Sequence, residues 1–395
     1  MHRLSPSIQH YTWGSTTAIP ELRGVPASGE PVAELWYGAH QRASATLEVS
    51  TGDVALRDYI QREGAHVLGA DLAGRFGLEL PFLLKLIAPA APLSLQVHPS
   101  SEQAALGWLR EERAGLDIDA PSRSFRDHNH KPEMVYALSS FEAVSGFRTP
   151  RRALEILDGL HAPLVEKTIE RLRHGASSQG MRSAFEYVLL GARDRAHDVG
   201  MVVEQIRDRL RRGDSPSEHT DAIALRIADH YPDDRGILAS LLLNPVTLSA
   251  GEAMYVPAGC VHAYLSGLAV EVMASSDNVV RAGMTPKHVD ARTLLDIIDV
   301  RPAPPIRLAP ERSRPGVEVF YAPVEDFEMA VITVAGNAIE LGGSGPRVVL
   351  AIEGKTAIVQ SGKRLVLTST EAVFVSDREN VSVSGHGRVV RASVP

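Results

Sequence analysis

The chain is expected to be mainly β with a helical insertion: two jelly-roll β-barrels plus an α-helical domain. Three observations predict this. Short apolar runs broken by Gly, Pro and Ser fill residues 1–149, apolar residues recur at helical spacing through 150–243, and β-prone runs alternate with tight turns from 317 to 395. With 395 residues and 44% hydrophobic content, there is material for more than one packed core.

In the first segment, Pro81–Ile87 and Leu93–Val97 read as strands, while Ser101–Leu116 reads as a local helix. Its start, Pro99-Ser100-Ser101-Glu102, supplies capping hydroxyls and an early acid ahead of Ala104, Leu106 and Leu109. In the second, Val199, Val203, Ile206 and Leu210 mark one helix face, and Arg207, Arg209, Arg211 and Arg212 read as its solvated side. Strand character resumes at Asn244, where the Gly-Glu…Val-Pro-Ala-Gly pattern of 251–259 is typical of double-stranded jelly rolls. Pro302, Pro304, Pro305, Pro310 and Pro315 read as a linker. Beyond it, Val348–Gly354, Thr356–Val359, Arg364–Leu367 and Ala372–Val375 read as strands of a second small barrel. The expected division is therefore a catalytic domain of 1–149 with 244–300, a helical insertion of 150–243 and a C-terminal domain of 317–395.

Composition excludes several functions. A formal net charge of -7 with scattered basic residues argues against a nucleic-acid partner, so an anionic ligand needs a local pocket. The single Cys260 rules out an intramolecular disulfide framework and reads as a buried small residue. No apolar run reaches the roughly 18 residues of a membrane span, and no leader pattern opens the sequence. A cytoplasmic protein without a membrane partner, monomeric or weakly dimeric, is expected.

The chemistry is concentrated in three segments: Leu93-Ser-Leu-Gln96-Val-His98-Pro99, Asn129-His-Lys131-Pro-Glu133 and Gly259–Lys287. Residues two apart on a strand share a face, so Gln96 and His98 can reach one ion while Leu95 and Val97 enter the opposite layer. His262 follows a glycine turn, and Pro132 favours an extended backbone before Glu133. Convergence of four ligands requires the sheet to close as in a small barrel. Two imidazoles, a carboxylate and an amide suit zinc with an open position, and also suit iron or manganese. By spacing alone, His128 and His130 are equally admissible ligands.

These segments resemble the zinc-dependent cupin family of mannose-6-phosphate isomerases. The resemblance extends to Tyr11-Thr-Trp13-Gly14, Glu34-Leu-Trp36-Tyr-Gly38-Ala-His40 and Gly146-Phe-Arg148, and so spans residues 11–287. Thr12 and Tyr37 depart from the acid and methionine common in relatives. The resemblance implies a cupin-like character for both barrels and one zinc per chain held by Gln96, His98, Glu133 and His262. It implies Arg281 as the active-site arginine, and Ser94, Lys131, Glu271 and Lys287 as the lining of a pocket for a phosphorylated sugar.

The implied reaction interconverts mannose 6-phosphate and fructose 6-phosphate by moving a proton between C1 and C2 through an enediol. Zinc and Arg281 would stabilise the developing negative oxygen, and Lys131, Lys287 and Ser94 would hold the phosphate. Glu271 and Lys131 are the candidate bases, Glu271 if its pKa is raised and Lys131 if its pKa is lowered. An iron-dependent cupin dioxygenase and a non-catalytic sugar-phosphate-binding cupin are the competing expectations.

Overall fold

Three antiparallel sheets and a block of helices lie one behind another in the computed structural model, which describes residues 1–174, 177–191 and 196–395. The parts of the expected helical insertion at 175–176 and 192–195 lie outside the described residues. The mainly β character expected from the sequence is present, but among the described residues no sheet closes on itself. Convergence without closure is possible because two sheets face each other and each contributes part of the site.

The seven-stranded sheet runs in the order Ile306–Leu308, Ala253–Val256, Glu133–Ala137, Ala269–Ala274, Phe82–Ile87, Glu34–Tyr37 and Ser7–Gln9. The five-stranded sheet runs Leu243–Leu248, Phe141–Phe147, His262–Ser266, Leu95–Val97 and Val280–Gly283. Between them sits an apolar layer of Ile87, Val135, Phe141, Val246, Met254 and Tyr264. Each such side chain, fully removed from water, stabilises by about 1.5–3 kcal/mol.

Strand alternation assigns the remaining faces. Leu95 and Val97 turn away from the site and pack with Phe147, Phe185, Ile206 and Ile227, which joins the helices to the back of the five-stranded sheet. The helices are Pro150–Leu157, Pro163–Arg173, Ser177–Leu190, Ala196–Arg212, Glu218–His230 and Gly236–Leu241. Val199, Val203 and Ile206 are buried as their spacing requires, whereas Arg209 departs from expectation. Its guanidinium is buried, paired with Asp221 and donating to the carbonyls of Ile156 and Asp158, so only Arg207, Arg211 and Arg212 form the solvated side.

The far face of the seven-stranded sheet, with Leu35, Leu84, Leu86, Met134 and Val272, packs on Phe320, Leu350 and Phe374 of a ten-stranded sheet. That sheet contains strands between 311 and 393, and also His2–Ser5, Thr46–Val49 and Gly52–Ala55. His2–Ser5 lies between Ala372–Val375 and Thr46–Val49, so the sheet crosses the boundary expected between the first and last domains. Tyr37 donates its phenol to the Thr370 carbonyl at 2.6 Å across the same join.

Two local expectations are corrected. The proline-rich segment is no free linker, because Ile306–Leu308 pairs with Ala253–Val256 and Glu311–Arg314 pairs with Val317–Phe320. The runs 348–354 and 356–359 belong to one strand, Arg347–Gln360. Gly354 does not end it: φ is 71°, and a Cβ there would meet the His386 carbonyl at 2.4 Å, so glycine lets the strand bend past its neighbour. Cys260 is half-buried beside the Ser145 hydroxyl rather than fully enclosed.

Candidate metal centre

The centre forms where the two inner sheet faces meet beyond the apolar layer. On the five-stranded sheet, Gln96 stands directly opposite His262 on one neighbouring strand and Arg281 on the other, so the three side chains share a row and a face. His98 follows the same strand by two residues. The Gly259 N–H donates to the His98 carbonyl at 2.8 Å, and φ of 78° at Gly259 makes the turn that delivers His262. From the opposing sheet, Glu133 reaches across at the start of its strand.

His98, Glu133 and His262 are buried, and their ligand atoms lie within 4.8 Å of one another. His98 Nε2 is 3.1 Å from Glu133 Oε1, and His262 Nε2 is 3.4 Å from Glu133 Oε2. Gln96 brings its amide to 3.4 Å from His262 Nε2.

The hydrogen bonds behind these ligands provide a test of fit. The Nδ1 atoms of His98 and His262 face backbone carbonyls, of Asn278 at 2.7 Å and Cys260 at 3.0 Å, and donate to them. Protons on Nδ1 leave the Nε2 lone pairs aimed at the carboxylate, the arrangement that a divalent ion requires of neutral imidazoles. Burial first, then the nearby Lys131 charge, pushes His98 down to about 4, which keeps the ring neutral. Burial would raise Glu133, but the Lys131 charge beside it holds it well below the usual carboxylate range. Tyr264 donates to its other oxygen at 2.9 Å. The donor set therefore fits a metal such as zinc. His128 and His130 are not part of it: His130 pairs with Asp326 at 2.9 Å, and His128 stands edge-on to Trp108.

The other expected site residues divide into two groups. Lys131 contacts Glu133 and lies 3.4 Å from His98, within the metal centre. Glu271 is raised by burial, against the pull of Lys85 at 3.1 Å. Ser94 places its hydroxyl 3.5 Å from the Gln96 amide oxygen. Arg281 and Lys287 are both lowered, first by burial and next by a neighbouring cation, Arg126 for Arg281 and Arg281 for Lys287. Lys287 lies 5.3 Å from the Tyr11 ring centre.

Three residues of the site escaped the reading of the sequence. Lys85 is buried between Glu271 and Glu34, the latter at 3.8 Å, and lies 5.1 Å from the Trp36 ring centre. Its signal was a lone lysine inside an apolar run. Arg126 completes a cationic group with Arg281 and Lys287 in which, among the described residues, no member has a carboxylate ion pair. Asn278, fully buried, accepts from the backbone N–H of Arg126 at 2.7 Å and donates to the carbonyls of Asp127 and Asn129. It thereby fixes the loop before Lys131 while its own carbonyl orients His98; nothing in its spacing announced this.

Comparison with known proteins decides the family. The phosphomannose isomerase type I catalytic domain matches residues 1–150. A mannose-6-phosphate isomerase of Salmonella typhimurium is 37% identical over 396 residues, covering 99% of either chain. The chain belongs to the mannose-6-phosphate isomerase family. Similarity within the family reaches mammals: the rat protein is 32% identical over 96% of this chain and 94% of its own. A mutant phosphomannose isomerase crystal structure from Salmonella typhimurium superposes with a TM-score of 0.91 at 34% identity, covering 100% of this chain and 99% of the other. A zinc-bound mannose 6-phosphate isomerase gives 0.90 at 35% identity with the same coverage.

Proposed function

We propose that this chain is a zinc-dependent aldose-ketose isomerase that interconverts D-mannose 6-phosphate and D-fructose 6-phosphate, with one zinc per chain. The observation that carries the reading is a buried His98–Glu133–His262 cluster sharing its site with a cationic group, Arg126, Arg281 and Lys287, that has no carboxylate ion pair among the described residues. Such cations stand ready for a phosphate and for an oxyanion. The family relatives are named for this isomerisation, and no observation favours the dioxygenase or non-catalytic readings.

Gln96, His98, Glu133 and His262 would hold the metal. Zinc bound there supplies a Lewis acid that polarises a sugar oxygen. Arg281, in the same row as two ligands, stabilises the negative oxygen of the enediolate. Lys287, Arg126 and the Ser94 hydroxyl bind the phosphate. Glu271 and Lys131 remain the two groups assigned to carry the proton between C1 and C2, and Lys85 orients Glu271 through their 3.1 Å contact. Loss of C2 hydrogen exchange with solvent in Glu271→Gln or in Lys131→Met identifies which of them is the base.

The facing five- and seven-stranded sheets suggest a jelly-roll sandwich of the cupin class for the catalytic domain, 1–149 with 244–300. The helices of 150–243 back it, and 317–395 forms a second cupin-like unit. Among the described residues no helix is long and apolar enough to cross a membrane, and we place the enzyme in the cytoplasm.

The deciding experiment follows conversion of mannose 6-phosphate through chelation and zinc return. Conversion that disappears and is restored supports the proposal; a folded, zinc-loaded protein that converts nothing overturns it. In the same assay Arg281→Ala should keep its zinc and lose about 10²–10³-fold in kcat, the scale of one oxyanion donor.

A further inference from the structure

Two stretches that are neither helix nor strand meet beside the metal centre: 126–132, ahead of the strand Glu133–Ala137, and 275–279, ahead of the strand Val280–Gly283. Their backbone has no ladder of its own, so side chains must supply partners. Asp127 supplies several of them. Its Oδ1 accepts from the Ser276 hydroxyl at 2.8 Å, the Asn129 N–H at 2.9 Å and Asn278 Nδ2 at 3.0 Å, and its Oδ2 accepts from the Asp277 N–H at 2.7 Å. Four donors thus converge on a carboxylate that has no part in the proposed proton transfer.

Asn278 is the residue this carboxylate holds most completely. Its Nδ2 donates to Asp127 Oδ1 and also to the Asp127 and Asn129 carbonyls, at 2.9 and 2.8 Å. Its Oδ1 accepts from the N–H groups of Arg126 at 2.7 Å and Asp127 at 3.2 Å. The Ser276 hydroxyl that donates to Asp127 accepts from the Asn278 N–H at 3.2 Å. Two groups of the site then depend on Asn278. Its carbonyl takes the His98 Nδ1 proton at 2.7 Å, and its side-chain oxygen fixes the backbone of Arg126. One residue therefore sets both the orientation of a metal ligand and the root of a cation.

We infer that Asp127 is a positioning residue that couples the metal ligand His98 to the phosphate-binding cation Arg126 through Asn278, an inference that rests on the reading of this site as a zinc and sugar-phosphate centre. The role needs a carboxylate, because only an acceptor with two oxygens satisfies donors on both sides. An amide of the same volume fails in either orientation. Its NH2 group faces the Asp277 N–H in one and the Asn129 N–H and Asn278 Nδ2 in the other. A tie of structural value alone would lower folding stability and leave the affinities of the folded protein unchanged.

The test measures two equilibrium constants on the full-length protein: zinc, by competition with a chromogenic chelator, and inorganic phosphate, by calorimetry on the zinc-loaded form. Asp127→Asn should weaken zinc binding by about 10–100-fold, the scale of a lost outer partner of a ligating histidine, and phosphate binding by about three- to tenfold. Ser276→Ala removes one donor to Asp127 and the acceptor of the Asn278 N–H, so it should weaken both by about threefold or more, and it carries the test if Asp127→Asn does not fold. Leu350→Ala, buried on the far side of the seven-stranded sheet, is the reference for general loss of stability, and its folded molecules should match wild type in both constants. The inference stands if both constants move beyond that reference. It is overturned if neither moves, which leaves Asp127 a structural tie, and equally if only one moves, which denies the coupling. Variants that match a wild type competent in zinc and phosphate overturn this inference alone; a wild type that binds neither removes the reading of the site with it.

Discussion

On the strand Phe82–Ile87, Lys85 turns to Glu271 and Glu34, while Leu84 and Leu86 on the other face join the cluster that holds Leu350 and Phe374. The same alternation runs through the neighbouring strands, with Glu133 and Glu271 on one side and Met134 and Val272 on the other. One sheet thus carries both the chemical groups and the adhesive surface that presses it onto the ten-stranded sheet. The difference is one of dependence: an apolar contact is replaceable by others of like volume, whereas each buried charge depends on a particular opposite charge.

Substitutions on the two faces should therefore fail differently. The largest effect belongs to Glu133→Ala, which removes the carboxylate between two imidazoles: zinc content and turnover should both fall to background, as read by elemental analysis and by assay. Retained stoichiometric zinc would transfer the ligand role elsewhere. Next comes Lys85→Met, which strands two buried carboxylates and should cost about 3–5 kcal/mol in urea unfolding, with turnover lost as well. Leu350→Ala, on the opposite side, should cost about 2–5 kcal/mol by leaving a cavity while the folded fraction keeps its kcat. If the Leu350 variant instead lost kcat at full folding, the two faces would not be separable.

A smaller effect distinguishes the rim of the site by pH. Burial favours the neutral form of Asp277, but the His40 hydrogen bond at 2.9 Å and the His40 charge, with Arg42 and Lys131, hold its carboxyl below the usual range. A carboxyl lowered by folding contributes stability above its unfolded pKa, and that contribution disappears as pH falls through the lower folded value. Unfolding free energy should therefore fall less steeply on acidification in Asp277→Asn than in the wild type. Identical slopes would remove Asp277 from the balance.

Much of the metal centre was legible because its signals are local. Gln96 and His98 are two apart on a strand, His262 follows a glycine turn, and the resemblance selected Glu133 over His128 and His130. The sequence was silent where partners are distant. Lys85 sits in a run that reads as a plain buried strand, and its meaning comes from Glu34 and Glu271, far away along the chain but adjacent across the sheet. Lys131 was placed in the substrate pocket by the resemblance and was also a candidate base, but nothing in its spacing announced its contact with Glu133, two residues on. The closed barrels failed for a related reason: alternation specifies which side chains share a face, not whether the first and last strands of a sheet meet.

The strand His2–Ser5 carries a consequence for the order in which the molecule is made. Its partners at Thr46–Val49 follow almost at once, but its other edge stays unpaired until Ala372–Val375 has been synthesised. At about 5–20 residues per second, that wait lasts on the order of 20–70 s. Through that interval the partner for one edge of His2–Ser5 has not been made, and an unpaired β edge is the kind of template on which neighbouring chains add strands. The last quarter of the protein thus supplies the late cover for that edge.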